Sequence, residues 1–208
     1  DLVDQELLEL VEEEVREACI GTFFENAPCI HTSSETGEGI EELKSALCQQ
    51  CQSIGDALPN PIDAPFRMAI DRCFSVEGHG TVVTGSVTSG QLRVDEHVML
   101  QPGEHEVRVR SLQNHDHPVG RVIRGERAAI NLAGIHPDKI QKGMELATPG
   151  FLAPHQLLTV HITVTPNSRF PLRNHMPVRL HLGTANHLAS LKLLEHDELL
   201  PREQGIAQ

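Results

Sequence analysis

No stretch of this sequence approaches the roughly 20 consecutive apolar residues needed to cross a bilayer, and no signal-peptide pattern leads it. A membrane-spanning or exported protein is therefore not expected; a cytoplasmic one, without a membrane partner, is. Cysteine is sparse and unpatterned. Cys19, Cys29, Cys48, Cys51 and Cys73 make an odd count of five with no framework spacing, which suits a reducing compartment rather than a disulfide scaffold. Repeats and low-complexity tracts are lacking as well. The chain opens on Asp1 rather than Met, so it reads as a piece of a longer protein.

Positive charge is what the first 60 residues lack. They hold 14 acidic and 2 basic side chains, against 15 and 15 in residues 61–208. The whole net charge of −12 thus sits in the first part, which repels an anionic partner. Twelve of the fifteen cations in the second part are arginines, the side chain best matched to phosphate and carboxylate. An anionic partner is to be sought there.

Two periodicities divide the chain. Residues 5–19 place Leu7, Leu8, Val11, Val15 and Ala18 on one helical face. Glu12, Glu13, Glu14 and Glu17 lie opposite, a solvated acidic face rather than a metal cluster. Ala27 to Thr32 reads as a short buried strand, and a second helix follows with Ile40, Leu43 and Leu47 at helical spacing. This α–β–α order over residues 1–52 suggests the last part of a doubly wound α/β sheet. A Pro-rich linker, 53–65, precedes a change to period two. Strands are expected at 66–74, 81–88, 97–100, 106–113, 127–132 and 144–147, a small closed antiparallel barrel within 66–150. "QLLTVHITVTP", "PVRLHLGTA" and "HLASLKLLEHD" begin a second strand set over 151–208, read as a partial second β-barrel.

The stretch "GHGTVVTGSVTSG", residues 78–90, has the glycine density of a phosphate loop. Gly80 and Gly85 even have the right separation, but Ser86 stands where the phosphate-binding lysine belongs, and strands flank it. Gly78, Gly80 and Gly85 instead permit sharp bends where barrel strands cross closely. The loop is architecture.

The segment from Phe66 to Leu100, "FRMAIDRCFSVEGHGTVVTGSVTSGQLRVDEHVML", resembles the second domain of the translational GTPases, the barrel after the G domain in Tu-type elongation factors. "DLVD" resembles the tail of the N-K-x-D guanine-specificity motif, with Asp1 as its aspartate, and "HTSSETGEGI" the later guanine loop, with Ser33 and Ser34 in its S-A positions. Asp71–Arg72, Gln113 with His115, and Arg127 ahead of "NLAG" resemble the selenocysteine-specific elongation factors within that superfamily; "PVRLHLGTA", with His181, resembles their third domain. The resemblance implies a parent that binds GTP with Mg²⁺, carries selenocysteinyl-tRNA to the ribosome and reads a messenger hairpin through a further C-terminal region. The phosphate loop, switch regions and water-positioning histidine of the GTPase would lie before Asp1, so these 208 residues are not expected to hydrolyse GTP. Two alternatives stay open: a general Tu-type or initiation-factor-type GTPase, and a non-translational β-barrel binding module.

A selenol is far more acidic than an alcohol, so selenocysteine is an anion at neutral pH where serine is neutral. Arginines aimed at one site would favour the first and be left uncompensated beside the second. The resemblance assigns that role to Arg72 and Arg127, on strands that would have to lie side by side, with Asp71 as partner of the aminoacyl ammonium or as the carboxylate that orients an arginine. Beside Asp71 and Glu126, the same arginines also fit ordinary surface ion pairs. Arg108, Arg110, Arg121 and Arg124 are candidates for tRNA phosphates, the first two on one strand face. Ser33 fits a cap or turn as well as a guanine loop. Cys48 and Cys51 read as two thiols at a helix end. His115 and His117 would share one strand face with no third ligand nearby, and no metal site is expected. Asp95–Glu96 replaces a Gly-Asp turn, which Asp can sustain by adopting the left-handed conformation.

Overall fold

The computed structural model describes residues 3–57, 63–76, 80–103 and 105–208, and not the side chains of 55–57. Asp1, Gly78 and most of the turn between the first two barrel strands therefore lie outside the described residues. The chain divides into two compact units, Asp1–Asn60 and Pro61–Gln208.

In the first unit α1 (Gln5–Cys19) starts at a capped end: Asp4 Oδ1 accepts the Leu7 N–H at 2.9 Å, satisfying one of the donors that a helix start leaves unpaired. α2 (Ile40–Ala57) runs on beyond Gln52 into the segment read as linker. The strand expected at 27–32 does not form. Among the described residues of this unit no strand offers its ladder, and an extended segment without a partner has nowhere to place its N–H and C=O groups except water. Five of its six residues are accordingly exposed.

The second unit opens with the barrel. Its strands are β1 (Arg67–Val76), β2 (Gly80–Ser89), β3 (Gln91–Arg93), β4 (His97–Gln101), β5 (His105–Asn114), β6 (His117–Val119), β7 (Arg121–Ile123), β8 (Arg127–Ala133) and β9 (Glu145–Ala147). Neighbours run β4-β9-β1-β2-β8-β5, and β5 pairs back onto β4, so six antiparallel strands close a ring. β3 and β7 form a separate ribbon, and β6 extends β5 as a hairpin. All six strands expected from the alternation are present. Their inward positions supply the core: Met68, Ile70, Val83, Val98, Leu100, Val109, Leu112, Ile130, Leu132 and Leu146 are each 0–1% exposed. Aliphatic side chains at every second position thus fill the barrel, the arrangement small barrels require.

Besides a register shift at Arg67/Met68, where β2 carries the extra residue, two bulges break the alternation. In β1 the register passes from Ile70↔Gly85 to Arg72↔Thr84, leaving Asp71 as the extra residue; in β5 it passes from Val109 to Ser111, leaving Arg110. An extra residue shifts the inward phase by one. Ile70 and Cys73 therefore both meet the core, with Asp71 and Arg72 between them on the outside.

Beyond the barrel, β10 (Val160–Thr163), β11 (Leu172–Arg173), β12 (Pro177–Leu182), β13 (Ala185–Ser190), β14 (Glu198–Leu199) and β15 (Gln204–Ala207) make three two-stranded pairs, β10–β15, β11–β14 and β12–β13. A small core of Val164, Leu191, Leu193, Leu199 and Ala207 lies among them. This part is tied to β1 by Thr184, whose Oγ1 donates to the Ile70 carbonyl at 2.6 Å, just before the bulge.

Candidate functional site

The outer face of the barrel around the first bulge carries the charged cluster. Arg127 starts β8, Thr84 lies on β2, and Asp71 is the bulged residue of β1. Arg127 donates twice to Asp71, Nη1 to Oδ2 at 2.7 Å and Nη2 to Oδ1 at 3.0 Å. Thr84 Oγ1 donates to the same Oδ1 at 2.7 Å. The strands of Arg72 and Arg127 are not adjacent, contrary to expectation: β2 lies between them. The bulge is what brings them together, since it turns two successive residues of β1 outward and lets the carboxylate reach past β2.

Partial burial pushes the Asp71 carboxyl up, but the hydrogen bonds from Arg127 and Thr84 and the charges of Arg127 and Arg72 outweigh it and leave it below the usual carboxylate range. The bond to Asp71 raises Arg127 in turn. Asp71 is thus an anion pinned from two sides, and Arg127 is held in one orientation while its side chain stays 51% exposed. The carboxylate thus orients an arginine, one of the two roles considered for it. Arg127 does not pair with its neighbour Glu126, whose Oε2 accepts the Ile123 N–H at 2.8 Å. Arg72 is exposed beside the pair.

The phosphate candidates fall in two places. Arg108 and Arg110 are both exposed on β5, but they reach in different directions. Arg108 Nη1 lies 3.2 Å from Asp95 Oδ1 before β4. Arg110 extends across β8, its Nη1 3.6 Å from where a Cβ on Gly80 would stand. Arg121 is on β7 in the separate ribbon, opposite Arg93, and Arg124 follows it. His115 and His117 do not share a strand face: Asn114 pairs with His117, and His115 and Asp116 form the turn between, with φ of 48° and 62°. Asp95 has φ 71°, the left-handed conformation expected of it.

In the first unit Ser33 is buried, with its Oγ accepting the Thr36 N–H at 3.1 Å and its carbonyl the Gly37 N–H. It shapes the loop into α2, while Ser34 is exposed. This loop and the start of α1 border one cleft of about 230 Å³ lined by Val3, Asp4, Gln5, Thr32, Ser33 and Glu38, among others. Two segments separated by some thirty residues, both read as guanine motifs, thus meet at one place.

The family described as elongation factor Tu domain 2 matches residues 80–147, which is most of the barrel. The chain is 38% identical over all 208 residues to a selenocysteine-specific elongation factor of Desulfomicrobium baculatum. The chain belongs to the selenocysteine-specific elongation factors. It spans about a third of that relative's length, 32%. A selenocysteine-specific elongation factor of Methanocaldococcus jannaschii is 34% identical over 125 residues, 60% of this chain and 26% of that protein. Among solved structures, the bacterial selenocysteine-specific elongation factor EF-Sec superposes with a TM-score of 0.77 at 26% identity, over 98% of this chain and 34% of the other. The apo form of SelB from Methanococcus maripaludis gives the same TM-score at 24% identity, over 100% and 47%, a likeness of fold. No described helix is long and apolar enough to cross a membrane.

Proposed function

We propose that this chain is the part of a selenocysteine-specific elongation factor whose barrel receives the aminoacyl end of selenocysteinyl-tRNA. The observation that carries the reading is the Asp71–Arg127 pair with Arg72 beside it on one outer face. Arg127 has five N–H donors in a rigid fork, and the Asp71 contacts engage one on each terminal nitrogen. The remaining donors, and the guanidinium of Arg72, are available to a selenolate. A serine hydroxyl brings no negative charge to set against them. Asp71 holds the fork in place, and Thr84 holds Asp71, so the cations are oriented before the ligand arrives. On this reading residues 1–52 end a GTP-binding domain, 53–65 link it to the barrel of 66–150, and 151–208 belong to a third-domain barrel. Ser33, Ser34 and Asp1 would border the guanine; of these Ser33 lines the cleft at the start of α1. Loop amides and the aspartate suit a guanine edge. GTP with Mg²⁺, the ribosome and the messenger hairpin are partners of the whole factor in the cytoplasm.

The test compares binding of the full-length factor to tRNA charged with selenocysteine and with serine. Arg127→Ala is expected to lower the preference for selenocysteine by on the order of a hundredfold, since a charged partner that loses its counter-ion costs about 3–5 kcal/mol when buried and less on a half-open face. An unchanged preference would overturn the assignment. Arg110→Ala should behave differently. It is expected to weaken binding of both charged tRNAs alike and to reduce the salt slope of log K by about 1, as a phosphate contact does; a titration at several salt concentrations reads it.

A further inference from the structure

We propose that Glu12, Cys29 and His31 form a binding site for a zinc-class divalent cation in the first unit, beside the cleft that His31 also lines and independent of the aminoacyl reading. Each of the three offers one ligand atom, and the three atoms lie within 4.8 Å of one another. Glu12 comes from α1, and Cys29 and His31 from the extended segment before the Ser33 loop. Residues two apart on an extended chain point to the same side, so the Cys-x-His spacing aims both side chains at the helix. The failure of this segment to pair as a strand leaves them there.

The acidic helix face looked uniform in the sequence. In the structure Glu13, Glu14 and Glu17 are exposed, while the Glu12 side chain is 26% exposed. Its two oxygens have different tasks. Oε1 accepts Arg16 Nε at 2.8 Å, and Oε2 faces His31 Nε2 at 3.0 Å. The arginine thereby fixes the carboxylate from behind, as hydrogen-bonding partners behind a metal ligand commonly do. Oε2, the imidazole and the thiol remain to bind.

A thiolate, an imidazole and a carboxylate are the ligand set of tetrahedral zinc. They do not suit Mg²⁺ or Ca²⁺, which take oxygen ligands throughout. Zinc bond lengths of about 2.0–2.3 Å put ligand atoms of a tetrahedral site about 3.3–3.8 Å apart, so the Glu12–His31 pair, now at 3.0 Å, would open slightly while the full spread of up to 4.8 Å closes. Three protein ligands leave a fourth position open to water, so the site is expected to exchange its ion rather than to lock it in.

Titration of the 208-residue chain with Co²⁺, followed by displacement with Zn²⁺, tests this. The expected result is one saturable site with the sulfur-to-metal charge-transfer band of a thiolate ligand in tetrahedral geometry. Cys29→Ser should abolish the band and His31→Ala should weaken Co²⁺ binding by about 100-fold or more, while Cys48→Ser with Cys51→Ser leaves both unchanged. Circular dichroism checks that the helices persist; if Cys29→Ser loses them, His31→Gln replaces it. Absence of saturable binding, or binding that survives the His31 variants or depends on Cys48 and Cys51, would overturn the proposal.

Discussion

Gly85→Ala is expected to unfold the barrel. A Cβ at this position would stand 2.2 Å from the Ala69 carbonyl oxygen and 2.9 Å from Met68 Cγ, and the first of these is backbone that cannot swing aside. Gly85 lies mid-strand in β2, paired with Ile70 on one side and Ala128 on the other. The β1 bulge begins one residue further on. Relief would require β1 and β2 to separate by more than an ångström at the point where β1 carries its extra residue, which breaks the ladder there. The loss should exceed about 4 kcal/mol, the range reserved for strain and overpacking that the surroundings cannot absorb. That is a large share of the roughly 5–15 kcal/mol by which domains are stable. Urea titration followed by circular dichroism measures it. Gly120→Ala is the control: nothing lies within 4 Å of its Cβ, and its change should stay within about 0.5 kcal/mol. Equal midpoints for the two variants would show that the close approach at Gly85 is not what fixes the β1–β2 spacing.

That prediction also explains what the sequence could convey. The alternation of apolar residues gave every long strand of the barrel, because inward positions must be apolar whatever the partner. It could not give the bulges. A bulge is a mismatch between two strands, and only the register with β2 reveals that Asp71 is surplus. Sequence reasoning consequently put the strands of Arg72 and Arg127 side by side, when the bulge does the work of adjacency across an intervening strand. The three-residue strands β3, β6 and β7 are too short to show a period; the local signal for β6 is the His115–Asp116 turn, with two polar residues able to adopt positive φ. In the first unit α1 was legible to the residue, since an amphipathic run behind a capping Asp4 is a local property. The strand at 27–32 was not, because a strand exists only with a neighbour. The charged cluster was legible as residue types through resemblance to a family; its geometry, with Arg127 choosing Asp71 over the adjacent Glu126, was not.

Leu146→Ala is the second large effect, and it concerns closure of the ring. β9 has three residues, Glu145 to Ala147, yet both β1 and β4 hang on it: Met68 and Leu100 each pair with Leu146. Its side chain is fully buried in the main core. Outside, Arg67 Nε and Nη2 bind Glu145 Oε2 and Oε1 at 2.6 and 2.9 Å, so the strand is clamped from both faces. Removing the inner clamp should cost about 2.7–5 kcal/mol, lost transfer energy plus the cavity left behind. A short strand cannot spread that loss along its length. The amides of β1 and β4 that bond to β9 are therefore expected to exchange through a local opening of the seam, at a lower free energy than those between β2 and β8, which exchange with global unfolding, and the variant lowers both. Leu188→Ala, at a position 79% exposed, should change neither. Hydrogen exchange resolved by residue distinguishes the outcomes: equal opening free energies across all six strands would mean that β9 opens only with the entire barrel, and that the seam is no weaker than the wall.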